Sequence, residues 1–138
     1  MSALRRLRPT NVGPRAPGVE RTTFRFRARL VEMKLEEDED YHLVIAGLSH
    51  RSRTMIVEFP AAGCVRHALH RKQIIRARAA LVRACGYPSS SSFTPLNGTA
   101  TITGVGFFDF FHGQTGVAPN GIELHPVLAF SHVRCRFR

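Results

Sequence analysis

The sequence predicts a mostly β fold with one helix, in the order β-β-β-α-β-β. Three observations lead to this prediction: short apolar runs that alternate with polar residues, a single stretch with helical periodicity, and turn-forming residues between the runs. This order matches the OB-fold, a five-stranded Greek-key barrel. The sequence therefore predicts an OB-like five-stranded barrel, and an α+β roll is the alternative.

The first predicted strand is long and bent. Apolar residues alternate with arginines from Thr23 to Leu30, and the alternation slips by one position at Val31. Because side chains on a strand repeat every two residues, the slip indicates a β-bulge near Leu30–Val31. Long, bent first strands occur where a small barrel must close.

The remaining elements follow from periodicity and turn signals. Apolar residues at helical spacing predict one helix from Cys64 to Cys85, with Gly86 as its C-terminal stop. Asn120 and Gly121 end a glycine-rich loop, 112–121, just before an apolar run, which is a strong turn signal. The other predicted strands are Tyr41–Leu48, Thr54–Phe59, Thr99–Phe111 and Ile122–Phe130.

The length of 138 residues fits a single domain. We expect a flexible basic arm at 1–22, one OB-like domain at 23–131 and a basic C-terminal tail at 132–138 that frays. No apolar run approaches the roughly 18 residues of a membrane span, so no membrane association is expected.

The three cysteines, Cys64, Cys85 and Cys135, are an odd number and form no C-x-x-C pair. This usage predicts reduced thiols and a cytoplasmic protein. If 64–85 is helical, Cys64 and Cys85 lie roughly 30 Å apart and do not bridge.

The formal net charge of +10 is distributed unevenly. Residues 1–29 hold eight arginines against one glutamate, and residues 32–40 reverse the sign. We interpret the acidic run from Glu36 to Asp40 as a solvated turn. A basic excess of this size suits a polyanion, so nucleic acid is the expected partner. The candidate nucleic-acid-binding residues are Arg25, Arg27 and Arg29 on one strand face and Arg51 and Arg53 in a basic turn.

Several ionisable residues stand among apolar neighbours, where charges are rare unless they are paired, metal-bound or functional. Asp40 and His42 are two positions apart on a strand and share a face, as do Glu123 and His125. Carboxylates and imidazoles suit general acid–base chemistry or a divalent zinc, manganese or magnesium ion. The candidate metal ligands are His112, Glu123 and His125. The candidate catalytic residues are Asp40, His42, Glu58, Asp109, His112, Glu123 and His125.

Four short motifs carry a resemblance: D-Y-H-L-V (40–44), E-F-P (58–60), F-H-G-Q (111–114) and I-E-L-H-P-V (122–127). Together they resemble a pattern of small, largely uncharacterised bacterial OB-like domains. The resemblance spans roughly Phe24 to Phe130, and it implies a fold but no activity. Staphylococcal-nuclease-like domains share the barrel order, but this chain does not plainly show their paired arginine and carboxylate signature.

Three functional hypotheses follow. The first is a non-enzymatic OB-like module that binds nucleic acid through the basic arm and the arginine strand face. The second is a metal-assisted hydrolase that acts on phosphodiesters and uses the Asp/His/Glu cluster. The third is a small interaction domain in which the same cluster is a structural polar network.

Overall fold

The computed structural model describes Met1, residues 3–6 and residues 18–137. Within these residues the chain is mostly β, with five strands in one sheet and a single α-helix, and the predicted element order is confirmed. The elements are β1 Thr23–Leu35, β2 Tyr41–Ala46, β3 Thr54–Phe59, α1 Arg71–Cys85, β4 Thr94–Phe108 and β5 Ile122–Phe137, with short 3-10 helices at Leu4–Arg6, Gly18–Arg21 and Ala62–Val65.

The sheet closes in a ring in the strand order β1-β2-β3-β5-β4, because β4 also pairs with β1. Neighbouring strands are antiparallel except for the β3–β5 pair, which is parallel. The register of β1 shifts between Leu30 and Glu32 against β2. The predicted bulge is therefore confirmed, and it lies where β1 pairs with both neighbours, since β1 pairs with β4 from Thr23 to Met33 and with β2 from Arg29 to Leu35.

The core fills the inside of the ring, and α1 packs Ala77, Leu81 and Cys85 against it. The predicted helix start at Cys64 is wrong, because Ala62–Val65 forms a 3-10 turn and α1 begins at Arg71. No side chain caps either helix start, and Val65 packs instead against Ile74 and Leu128. The predicted end is confirmed, since Gly86 has a φ of 84° and its N–H bonds to the carbonyl of Val82.

The last two strands are longer at one end than the sequence suggested. β4 begins at Thr94, five residues before the predicted start at Thr99, and β5 continues to Phe137 through the segment that we expected to fray. The two extensions pair with each other, Leu96 opposite Phe137, so each supplies the ladder hydrogen bonds that the other needs. Most of the predicted tail is therefore strand.

A disulfide joins Cys85 at the end of α1 to Cys135 in β5, while Cys64 is free and exposed. The prediction of reduced thiols is therefore wrong for Cys85 and Cys135, and spacing along the sequence gave no sign of this pair. The cytoplasmic location stays a prediction. In the part of the chain that the structure describes, no helix is long and apolar enough to cross a bilayer.

The predicted basic arm falls largely on residues 2 and 7–17, which lie outside the described residues. The described part of the arm contacts the domain. Leu4 is buried and its carbonyl accepts a hydrogen bond of 2.9 Å from Nδ2 of Asn120. Nε of Arg5 donates to the carbonyl of Thr54 at 3.0 Å.

Candidate active site

A cleft of about 700 Å³ opens between the β1–β2 turn and the long β4–β5 loop, 109–121. All seven candidate catalytic residues line it, so the fold brings together residues that are more than 80 positions apart in the chain. We call it the acidic cleft, because it holds seven of the ten carboxylates of a chain with a net charge of +10. These seven are Glu36, Glu37, Asp38, Asp40, Glu58, Asp109 and Glu123.

Strand register explains how the cleft forms. His42 in β2 lies directly opposite Glu58 in β3, and Glu123 in β5 lies beside Ile56 of β3 and opposite Phe107 of β4. Because side chains alternate along each strand, these residues share the outer face of the closed sheet. One short row of positions across four strands thus becomes the floor of the cleft.

His42 and Glu58 form a largely buried pair in the cleft. Nδ1 of His42 lies 3.0 Å from Oε1 of Glu58 and 3.2 Å from Oε1 of Glu36, and Nε2 lies 2.9 Å from the carbonyl oxygen of Thr115. A carbonyl oxygen only accepts, so Nε2 carries a proton and donates it. A hydrogen bond on the Nδ1 side then needs a second proton, held either by the imidazole or by a carboxyl group.

The pKa values of the pair agree with a shared proton. Burial raises the pKa of Glu58 to about 7, although the hydrogen bond and charge of His42 oppose the rise. Burial alone would lower the pKa of His42, but its hydrogen bond to Glu58 and the nearby carboxylates raise it overall. A carboxyl group with a pKa of about 7 in contact with an imidazole can both give and accept a proton at neutral pH. In addition, Oε2 of Glu58 is buried without a hydrogen-bond partner.

His125 forms a second imidazole–carboxylate arrangement in the same cleft. Its Nδ1 lies 3.2 Å from Oε1 of Glu123, and its Nε2 lies 3.6 Å from Oδ2 of Asp40. Burial would lower the pKa of His125, but the hydrogen bond and charge of Glu123 raise it overall. Burial also raises the pKa values of Glu123 and Asp40. Asp40 of the first predicted pair therefore lies beside His125 of the second pair in the fold.

Asp109 and His112 stand at the mouth of the cleft. Nε2 of His112 lies 3.1 Å from Oδ2 of Asp109, and half of the His112 side chain is exposed. In the described residues, no group of three or more His, Cys, Asp or Glu side chains is already arranged to hold a metal ion. The metal set of His112, Glu123 and His125 stays a prediction.

The β4–β5 loop packs on the outer face of β2, and the core covers the inner face of the strand. All six residues of β2 are buried as a result. Gly116, with a φ of 84°, allows this close approach, because a Cβ at its position would lie 2.6 Å from Cγ1 of Val44. The contact puts the neighbouring carbonyl of Thr115 in reach of His42. The loop therefore fixes one side of the His42 imidazole.

Arg78 of α1 holds the part of the cleft that contains Asp40. Its guanidinium lies over the ring of Tyr41, 3.5 Å from the ring centroid. It donates hydrogen bonds of 2.8 Å to the carbonyls of Phe59 and Glu39. These bonds tie the end of β3 to the β1–β2 turn, whose next residue is Asp40. Oδ1 of Asp40 also accepts a bond of 3.2 Å from the N–H of Ala61.

The predicted nucleic-acid-binding arginines lie away from the acidic cleft, and none of them lines it. Arg25 and Arg27 are exposed on the outer face of β1. Arg29 is half-buried, and its Nε donates to the carbonyl of Leu48 at 3.1 Å. Arg51 and Arg53 are exposed in the β2–β3 turn.

Two contributors to the site were missed by the sequence analysis. Glu36 belongs to an acidic run that we interpreted as a solvated turn, yet it contacts His42. The position of that run directly before Asp40 and His42 was the available signal. The Thr115 carbonyl gave no signal, because a backbone acceptor has no sequence signature.

A comparison of the chain with known protein families, curated proteins and solved structures found no match.

Proposed function

We propose that this protein is an OB-like barrel with a hydrolytic site in the acidic cleft. The strand order β1-β2-β3-β5-β4, the parallel β3–β5 pair and the helix between β3 and β4 support the OB-like assignment. OB-folds bind ligands on the face of their second and third strands, between the β1–β2 and β4–β5 loops. The acidic cleft occupies this location.

The observation that carries the proposal is the His42–Glu58 pair with its shared proton, beside the second pair formed by His125 and Glu123. In a phosphodiester hydrolysis, the Glu58 carboxylate or the imidazole behind it takes a proton from the attacking water. The P–O ester bond breaks as the new P–O bond forms, and protonated His125 gives its proton to the departing alkoxide. Two titrating pairs in one cleft supply both roles.

A divalent cation fits this chemistry, because seven carboxylates would otherwise repel an anionic diester. Glu123, with His112 at the mouth, offers the oxygen and nitrogen ligands that zinc, manganese or magnesium take, and Oε2 of Glu58 is an unused buried oxygen; His125 of the predicted metal set acts as the acid in this proposal and is therefore not counted as a ligand. When bound, such an ion polarises a phosphoryl oxygen and lowers the pKa of bound water.

The test is hydrolysis of a small diester, bis(p-nitrophenyl) phosphate, with zinc, manganese or magnesium added in turn. We expect turnover by the wild type and a loss of about 100-fold or more in Glu58→Gln. Glu39→Gln is the matched control, because it removes an exposed carboxylate that does not line the cleft. Absence of turnover with every ion, or full activity in Glu58→Gln, would overturn the proposal.

A non-enzymatic nucleic-acid-binding module is the second candidate function. It is favoured by the exposure of Arg25 and Arg27 on β1 and by two exposed aromatic rings, Phe110 and Phe111, on the β4–β5 loop. Bases stack on such rings while cations contact the phosphates. The third candidate, a structural polar network, predicts that His125→Ala lowers stability and leaves oligonucleotide binding unchanged.

A further inference from the structure

A second, basic groove of about 550 Å³ lies on the outer surface of β1, β4 and β5. Its charged lining residues are Arg25 and Arg27 of β1 and Arg134 of β5, and Thr101 of β4 lies between them. Strand register sets this arrangement, since Arg27 is opposite Thr101 and Thr99 is opposite Arg134. The sequence analysis named the two β1 arginines, but not the contribution of β5.

Arg27 is held in a fixed position in this groove. Its Nη1 donates to Oγ1 of Thr101 at 3.2 Å and to the carbonyl of His132 at 3.0 Å, and its Nη2 donates to Oγ1 of Thr99 at 2.7 Å. A guanidinium has five N–H donors in a rigid fork, so these bonds leave two donors for a ligand. A cation that is already ordered loses less entropy when it binds an anion.

Among the described residues, no carboxylate forms an ion pair with the arginines of the groove. The ion pairs between described residues each join a histidine to a carboxylate, so none of them neutralises Arg25, Arg27 or Arg134. Guanidinium groups beside threonine hydroxyls form a donor set suited to phosphate oxygens. The groove therefore has the chemistry of a phosphate-binding surface.

The groove and the acidic cleft lie on the same face of β4. Thr101 lines the groove and Phe107 lines the cleft. They are an even number of positions apart, and the intervening residues alternate between buried and half-buried, so both point outward. Six residues of strand correspond to about 20 Å. A polymer with several phosphates along this strand reaches both surfaces, whereas a single small diester reaches only one.

We propose that the groove is a second phosphate-binding site, and that it holds the same single-stranded nucleic acid whose scissile diester lies in the acidic cleft. This inference rests on the proposed hydrolytic function. The carboxylates of the cleft repel phosphates, and the arginines of the groove would supply the attraction that holds the nucleic acid on the protein. Binding and cleavage are then two parts of one activity.

The test follows amide signals of the labelled full chain by NMR during addition of a single-stranded phosphorothioate DNA of about 20 nucleotides, which resists hydrolysis. We expect signals of Thr101 and Arg134 in the groove and of Phe107 and Glu123 in the cleft to shift with one common midpoint. The Arg25→Glu/Arg27→Glu double variant should weaken binding about tenfold or more. It should also reduce the slope of log affinity against log salt concentration by about two, which corresponds to the loss of about two phosphate contacts. Arg76→Glu, an exposed charge reversal on α1, is the control for net charge and is compared with each single reversal, Arg25→Glu and Arg27→Glu.

Shifts in the groove alone, shifts in the cleft alone, separate midpoints or no shift at all would each overturn the inference. An equal loss of affinity in Arg76→Glu would also overturn it, because the effect would then come from net charge. Hydrolysis of bis(p-nitrophenyl) phosphate separates this failure from failure of the proposed function. That small diester reaches only the cleft, so its turnover by the wild-type protein tests the proposed hydrolysis independently of the groove.

Discussion

The imidazole of His42 and the carboxylate of Glu58 face each other across neighbouring strands, with 3.0 Å between Nδ1 and Oε1. The β2–β3 register places the two residues opposite each other, and the Thr115 carbonyl of the β4–β5 loop holds the other side of the imidazole. The side chains of His42 and Glu58 are only 4% and 12% exposed, which excludes bulk water from the proton between them. The first two predictions concern this pair.

We predict that replacing Glu58 by glutamine removes part of the pH dependence of stability. The folded state raises the pKa of Glu58 from 4.5 to about 7, so it keeps a proton that the unfolded chain has released. The resulting stabilisation is full below about pH 4.5 and is lost as the pH rises through 7, by up to about 3 kcal/mol. Unfolding free energies from pH 4 to 9 should fall less steeply in Glu58→Gln than in the wild type. An unchanged slope would contradict this, and Glu39→Gln should keep the wild-type slope.

We predict that His42→Ala costs about 3 kcal/mol of unfolding free energy at neutral pH. The substitution leaves the carboxylate of Glu58 and the carbonyl of Thr115 without their partner inside the protein. His112→Ala is the matched control, because His112 is half exposed and should change stability by no more than about 0.5 kcal/mol. Urea denaturation measures both values. Similar small losses in the two variants would show that the His42 network contributes little.

The packing of the β4–β5 loop against β2 gives a prediction based on two glycines. Gly116 and Gly113 have nearly equal φ values of 84° and 83°, but only Gly116 is in contact with Val44, while a Cβ at Gly113 would meet open space. Gly113→Ala should cost about 1 kcal/mol for its backbone conformation alone, and Gly116→Ala about 2 to 3 kcal/mol because of the added clash.

A double variant tests the origin of that clash. Val44→Ala should partly rescue Gly116→Ala, which a double-mutant cycle measured by urea denaturation detects as a favourable coupling energy. Equal costs for the two glycine substitutions, with no coupling to Val44, would contradict the close approach of loop and strand.

The disulfide between Cys85 and Cys135 predicts one free thiol, Cys64, in protein purified without reductant. The bond closes a segment with a sequence separation of 50 residues. Its reduction should therefore lower the unfolding free energy by up to about 4 kcal/mol. Thiol titration and denaturation with and without dithiothreitol measure the two effects. Cys64→Ser should leave the reductant sensitivity unchanged, and titration of all three thiols in the native protein would contradict the assignment.

Strand periodicity was enough to predict the element order and the bulge near Leu30. Local patterns also identified the seven candidate catalytic residues of the cleft. A carboxylate or an imidazole inside an apolar run, such as Glu123 in I-E-L-H-P-V, needs a hydrogen-bond or charge partner once it is buried. Their convergence depended on the parallel β3–β5 pairing, which is a property of the closed sheet and not of any single segment.

The errors came from interactions between distant segments. Residues 131–137 form strand because β4 provides a partner for them, and Cys85 meets Cys135 because α1 packs against β5. Likewise Glu36 appeared to be solvated only while the position of His42 was unknown. Tertiary contacts of this kind outweigh local preference and have no short-range signature.

Seven carboxylates lie in one cleft of a strongly basic protein, so the charge of the molecule is distributed asymmetrically. An approaching polyanion experiences a torque before it makes any contact, and the basic side of the protein turns toward it first. Productive collisions therefore become more frequent in dilute buffer and rarer once salt shortens the range of the field to about 8 Å.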